Sequence, residues 1–371
     1  MFGVWGNPLA FLALKRVLKR GSKQFLKRGG ELGFKFEPFW LNEEDCGMVI
    51  ASAWGEVELS NSDCDLSRKL SVCARKLEVW STDRFGSLEK LIKSKREELE
   101  GLILIAMDVG ISKEIARVES DLENLLTKEE IYWRQRSRLD WLVVGDRNLR
   151  FFHRKTSARK TSNWIDLLKD ETGKKFTDEV GISGAVCRFF DILFTSSSPF
   201  VEDIGLCSVV LENKIDDDRR LVLERNFFVE DVRLAIFSLG AIKTPESDGF
   251  HTLFFQKIWQ VVGGDVTRVC LSVLNGESSI RIFNKTNVVL VLKKNNHVLL
   301  RDFRPISLCY VIYKIISKAM ATHLIPAIIS PNKSAFVPGR LIFDNVLVAF
   351  ELLHSISEKK EGEERVYDFK T

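Results

Sequence analysis

At 371 residues the chain is long enough for two or three units of roughly 100 to 200 residues each, at least one with a sizeable core. Hydrophobic residues at 45% and charged ones at 29% exclude a wholly disordered or collagen-like polypeptide. The formal charge is only +4, but it is unevenly spread: Met1 to Lys35, Arg134 to Lys160 and Lys293 to Arg340 carry +7 each, and the rest carries −17. Seven cysteines, at 46, 64, 73, 187, 207, 270 and 309, form no Cys-x-x-Cys pair, which argues against a disulfide framework or zinc module. A reducing compartment, nucleus or cytoplasm, is expected. The apolar runs Phe11 to Leu14 and Val288 to Leu292 are far below the roughly 18 residues of a bilayer span, so no membrane contact is expected.

Residues 1–33 form a basic segment without the small-residue cleavage site of a secretory signal and remain unassigned. From Phe36 to Leu66 there is no Lys or Arg and there are eight acids, which sets off a linker over 34–66 from a helical region over 67–240. In that region Leu88, Ile92, Lys95, Leu99, Leu102 and Ala106 recur at alternating steps of four and three, the stripe of a long helix broken only by Lys95. A second stripe, Val118, Leu122, Leu125 and Tyr132, follows Gly110 and Ser112, and together they predict a helical hairpin. Thr127 with Glu130 has capping-box spacing, so a further helix is expected to start there.

Arg134 to Lys160 mixes nine cations with Trp141, Phe151, Phe152 and His153. Two readings fit equally: Arg138, Arg147 and Arg150 neutralise phosphates while Phe151, Phe152 and His153 stack on unpaired bases, or the cations solvate a small aromatic core. Helices are predicted over Asn163 to Leu168, Val186 to Phe194, Arg219 to Arg225 and Val229 to Leu239. The Asp216-Asp217-Asp218 run reads as an acidic helix start rather than a magnesium site. Pro245 to Gly249 is a loop with turn chemistry. Val288 to Leu292 predicts a strand, Pro305 holds Arg304 extended, and a helix should run from Val311 to Leu324.

Several segments resemble, in order, the non-LTR (LINE-type) retrotransposon reverse transcriptases of plants, over about residues 34 to 371. Phe34 to Leu41 is similar to the segment after the endonuclease domain. Ser137 to Trp141, Gly145 to Asn148 and Phe151 to His153 are similar to the signature upstream of the polymerase. Then come Asp248-Gly249-Phe250 and Phe254 to Trp259. The most specific block is Asp302 to Cys309, Tyr313 to Lys318, Ser334 to Arg340 and Asp344-Asn345.

The resemblance implies an α+β fold, mostly helical, in which 241–371 is a partial reverse transcriptase domain: the fingers of a right-hand polymerase. It places Lys293 and Arg304 near the triphosphate of the incoming nucleotide, where a guanidinium fork and a mobile ammonium stabilise developing charge. Lys314, Lys318 and Arg340 would face template or nucleotide, with an exposed helix or loop cation as the equal alternative for each. The expected partner is an RNA or DNA template and primer. The intact family enzyme uses Mg²⁺ held by palm aspartates. Phe369-Lys370-Thr371 resembles the stretch before the first of these, so no metal site, no cofactor and no polymerase activity are expected of this polypeptide alone, which reads as a truncated fragment. Glu246, Ser247, Leu292, His323 and Lys333 depart from the family pattern. The alternative is a non-catalytic single-stranded nucleic-acid-binding or helical interaction module. Lacking a palm to rest on, apolar residues near Val288 to Leu292 and Ile306 to Leu308 are expected to be uncovered and prone to association.

Overall fold

A computed structural model describes residues 33–57, 65–105, 111–137, 149–162, 165–193, 195, 217–242, 248–284, 286–293 and 298–328, and the single positions 347, 350, 351 and 354. The described residues are mostly helical, with two antiparallel two-stranded hairpins. They divide into two units, Met1–Ser197 with Phe227–Ile316, and Ser198–Asn226 with Ser317–Thr371.

The acidic segment begins the first unit. A short 3-10 turn, Pro38–Asn42, leads into α1 (Glu44–Gly55), which buries Cys46, Ile50, Ala53 and Trp54 at helical spacing. Next comes α2 (Asp65–Phe85), ended by Gly86, whose φ of 51° accepts the left-handed turn that stops a helix. Polar contacts tie these elements together and to the helix over Ile111–Ser137: Arg136 of that helix grips Glu37 with both terminal nitrogens (2.7 and 3.1 Å), its Lys128 pairs with Glu43 at 2.6 Å, and Trp80 of α2 donates to Asp45 of α1 at 2.9 Å. Cys46 and Cys73 are fully packed between α1 and α2, and burial pushes both thiols up to about 12, so they act as small apolar residues.

The two leucine stripes form the expected pair of helices, α3 (Leu88–Ile105) and α4 (Ile111–Ser137), with Ile92 and Val118 buried. Lys95, which interrupts the first stripe, reaches across to Asp121 at 3.3 Å and to Glu98 at 2.9 Å. Ala106 and Gly110 lie outside the described residues. No helix starts at Thr127. Its hydroxyl donates back to the Glu123 carbonyl at 2.9 Å, a bond that is compatible with a helix interior, so α4 runs through it unbroken.

A second correction falls at 163–168. Residues 163 and 164 lie outside the described residues, 165–167 are not helical, and Leu168–Lys169 is strand β1, paired with β2 (Lys175–Phe176). Turn chemistry decides it. Asp170 accepts from the amides of Thr172 and Lys174, both at 3.0 Å, and Gly173 takes φ 86°. This hairpin packs with α6 (Glu179–Leu193), whose Ile182, Ala185, Val186 and Phe190 share a core with Val288, Leu300 and Phe303.

In the second unit α7 (Asp217–Glu224) starts within the aspartate run, with an Arg220–Glu224 pair one turn apart at 2.8 Å. Back in the first unit, α8 (Val229–Ser238), α9 (Thr252–Lys257) and α10 (Trp259–Leu274) follow. The hairpin β3 (Thr286–Leu292) and β4 (Phe303–Cys309) precedes α11 (Val311–Ile328), whose residues from Ser317 belong to the second unit.

An aromatic core crosses the boundaries expected at 66 and 240. Phe36 is fully buried and meets Phe250 and Phe254 at ring-centroid distances of 6.3 and 5.2 Å, while Trp40 meets Trp80 at 5.9 Å. The strap 34–41 thereby docks on the 248–250 loop, where Phe36 donates its amide to the Gly249 carbonyl at 3.0 Å. Among the described residues no helix is long and apolar enough to cross a membrane.

Candidate nucleic-acid interface

Register places Arg304, of the most specific motif, and Lys293, which follows β3. Val291 pairs with Arg304 and Leu292 with Phe303, and the Lys293 amide donates to the Asp302 carbonyl at 2.8 Å, so the pairing extends one residue past the strand. Alternation then assigns Val288, Leu290, Leu292 and Phe303 to one face and Val289, Val291, Lys293, Arg304 and Ile306 to the other. The first face is the one that packs on α6 and β1–β2. Expected exposure of this hairpin is therefore half right: the chain's own helix covers Val288, Leu290 and Leu292, and Ile306 on the opposite face is 43% exposed.

Lys293 and Arg304 stand exposed on that outer face, at the loop end of the hairpin. The Lys293 ammonium donates to the Arg301 carbonyl at 2.6 Å, and Arg304 forms no ion pair among the described residues. A free guanidinium fork beside a loosely tethered ammonium is what recognition of a phosphate group requires.

Lys314, on α11, is half-buried near Asp248. Burial pushes the Asp248 carboxyl up to about 6, against the pull of the Phe250 amide, which it accepts at 3.2 Å, and of the Lys314 charge. The pairing was invisible in sequence because 66 residues separate the two; only the Asp-Gly turn marked the loop. A group whose folded pKa is raised contributes stability below its unfolded value near 3.8 and loses it as pH rises through about 6. Asp248→Asn, which keeps the acceptor for Phe250, is therefore expected to be more stable than the natural chain at pH 7, by on the order of 3 kcal/mol. The gap should vanish near pH 4. Urea melts at the two pH values check this, and a gap independent of pH would refute the ionised, buried carboxyl. Lys318 lies half-buried on α11 in the second unit, and Arg340 lies outside the described residues.

The basic aromatic segment divides. Arg138 and Arg147 lie outside the described residues, and Arg150 is on α5 (Leu149–Ser162) without a described side chain. Phe152 is 1% exposed, so its ring packs inside the protein. His153 lies over Trp133 of α4 at 3.8 Å between ring centroids, and Lys155 sits 5.8 Å from the Phe151 centroid. Of the three rings only Phe151 is half-exposed without a neighbouring ring from another helix, and Arg154 and Lys155 are the exposed cations beside it. Arg136 is committed to Glu37, which composition alone could not reveal. No cluster of metal-ligating side chains occurs among the described residues.

No protein-family model matches the chain. It is 30% identical over 224 residues to the transposon TX1 uncharacterized 149 kDa protein of Xenopus laevis, an alignment that covers 59% of this chain and 17% of that protein. The similarity supports a transposon-derived chain.

Proposed function

We propose that the chain is the pre-polymerase and fingers portion of a plant-type non-LTR retrotransposon reverse transcriptase, that Lys293 and Arg304 contact the triphosphate of an incoming nucleotide, and that α5 and the hairpin bind RNA or DNA. The observation that carries this reading is the β3–β4 register, which sets Lys293 on one exposed face with Arg304, a residue of the motif block most similar to that family. The transposon relative is consistent with it. Arg134 to Lys160 and Lys293 to Arg340, each +7, supply the phosphate-neutralising charge.

Lys293 and Arg304 would orient and neutralise the triphosphate, while phosphoryl transfer also needs metal-binding carboxylates, for which the 371 residues hold no matching motif. The purified 371-residue polypeptide is therefore expected to bind a primer–template without extending it. Affinity should fall steeply with salt, as about seven phosphate contacts require. Lys293→Ala and Arg304→Ala should each weaken nucleotide binding about tenfold, the loss of one charge-assisted contact. Filter binding, nucleotide titration and primer extension with Mg²⁺ test the three parts. Primer extension by the chain would refute the inactive reading, and wild-type nucleotide binding by both variants would refute the site. Binding indifferent to salt would favour the helical interaction module instead.

A further inference from the structure

We propose that Arg301 is a third phosphate-binding cation at the loop end of the β3–β4 hairpin, and that the three-cation cluster takes a triphosphate group rather than the spaced phosphates of a strand. This rests on the nucleotide reading of Lys293 and Arg304.

The 3-10 turn Leu300–Asp302 brings the cluster together. Asp302 accepts from the Leu299 amide at 3.3 Å and donates its own amide to the Leu299 carbonyl at 2.9 Å, which closes the turn. That closed turn presents the Arg301 carbonyl to the Lys293 ammonium at 2.6 Å. Arg301 and Lys293 are thus joined through a backbone oxygen, and Arg304 follows two residues after Asp302 on the paired strand. The one acid of this segment is turned inward: Asp302 is 7% exposed, whereas Arg301, Lys293 and Arg304 are all exposed. Among the described residues neither Arg301 nor Arg304 forms an ion pair, and the Lys293 ammonium has spent one of its three donors.

Geometry selects the ligand. Paired strands about 4.8 Å apart and the Leu300–Asp302 turn gather the three cations at one end of the hairpin, whereas successive phosphates of a nucleic-acid strand are each singly charged and separated by a sugar. A triphosphate concentrates its charge in one compact group that two guanidinium forks and an ammonium can grip together.

The test uses the purified 371-residue chain, with inorganic tripolyphosphate and a single-stranded oligonucleotide as probes. Arg301→Ala is exposed and should fold normally. It is expected to weaken tripolyphosphate binding about tenfold and to leave oligonucleotide binding within about twofold, while Arg117→Ala on α4 changes neither. If Arg301→Ala binds tripolyphosphate as the natural chain does while Lys293→Ala and Arg304→Ala bind it weakly, this inference falls and the nucleotide reading stands. If all three variants bind normally, both fall. An equal loss of oligonucleotide binding in Arg301→Ala would assign the cluster to a strand backbone and overturn the triphosphate.

Discussion

Gly249→Ala is expected to destabilise the first unit by more than about 4 kcal/mol, a loss outside the range of ordinary substitutions. A β-carbon at this position would stand 1.9 Å from the carbonyl oxygen of Phe34 and 2.6 Å from its carbonyl carbon. The obstacle is backbone, so no rotamer change relieves it, and the φ of 75° adds the strain of a left-handed side-chain-bearing residue. Phe34 cannot step aside cheaply. The amide of Phe36 is bonded to Gly249 itself, and its ring is fully buried against Phe250, Phe254 and Trp40. Moving the strap would also pull Glu37 from Arg136 and loosen the end of α4. Gly264→Ala is the control: it lies inside α10 with nothing within 4 Å of the added carbon, and should be neutral or gain up to about 1 kcal/mol. Denaturant midpoints of the two variants decide the matter, and a Gly249→Ala chain as stable as the Gly264→Ala chain would show that strap and loop are not docked in solution.

Local periodicity was enough to read α3, α4, α8, β3 and the extended backbone at Arg304, because in each the apolar spacing and the breaker residues agree. It failed where a local signal has two structural outcomes. Thr127 and Glu130 satisfy capping-box spacing, yet a threonine hydroxyl can equally bond back to the carbonyl four residues earlier, and here it does. The apolar run from Asn163 looked helical, but the Asp170 to Gly173 turn recruits its last residues into a strand. The candidate site was legible as residue types and not as partners. Counting charge over Arg134 to Lys160 gives Arg136 the same weight as Arg154, although the first is tied to Glu37 and the second is exposed. Phe152 and Phe151 are adjacent in sequence, and only the burial of the first separates their roles. Arg301 shows the opposite case: nothing in its sequence context distinguishes it, and its place beside Lys293 comes from a three-residue turn.

Asp265→Ala should cost about 3 to 5 kcal/mol, the loss that follows when one member of a buried ion pair is removed. Asp265, on α10, accepts from the Lys69 ammonium of α2 at 2.8 Å and from the Trp54 indole of α1 at 2.9 Å, so one carboxylate ties three helices together. The Lys69 and Asp265 side chains are 8% and 13% exposed, and the ammonium lies 5.5 Å from the Trp54 ring centroid. Removing the acid strands a buried cation. Burial alone would raise the Asp265 pKa, but the hydrogen bonds from Lys69 and Trp54 and the ammonium charge outweigh it and hold the carboxyl below its ordinary range. A group depressed in this way contributes its stability above the unfolded value near 3.8 and loses it as pH falls through the folded one, so the gap between natural and variant chains should narrow only in strong acid. Lys69→Met in the Asp265→Ala background is expected to recover part of the loss, because it removes the unpaired charge and fills the same space with an apolar side chain. A double-mutant cycle by urea denaturation measures the coupling. Strictly additive losses would mean that Lys69 and Asp265 do not depend on each other, and that the ion pair does not hold α2 to α10.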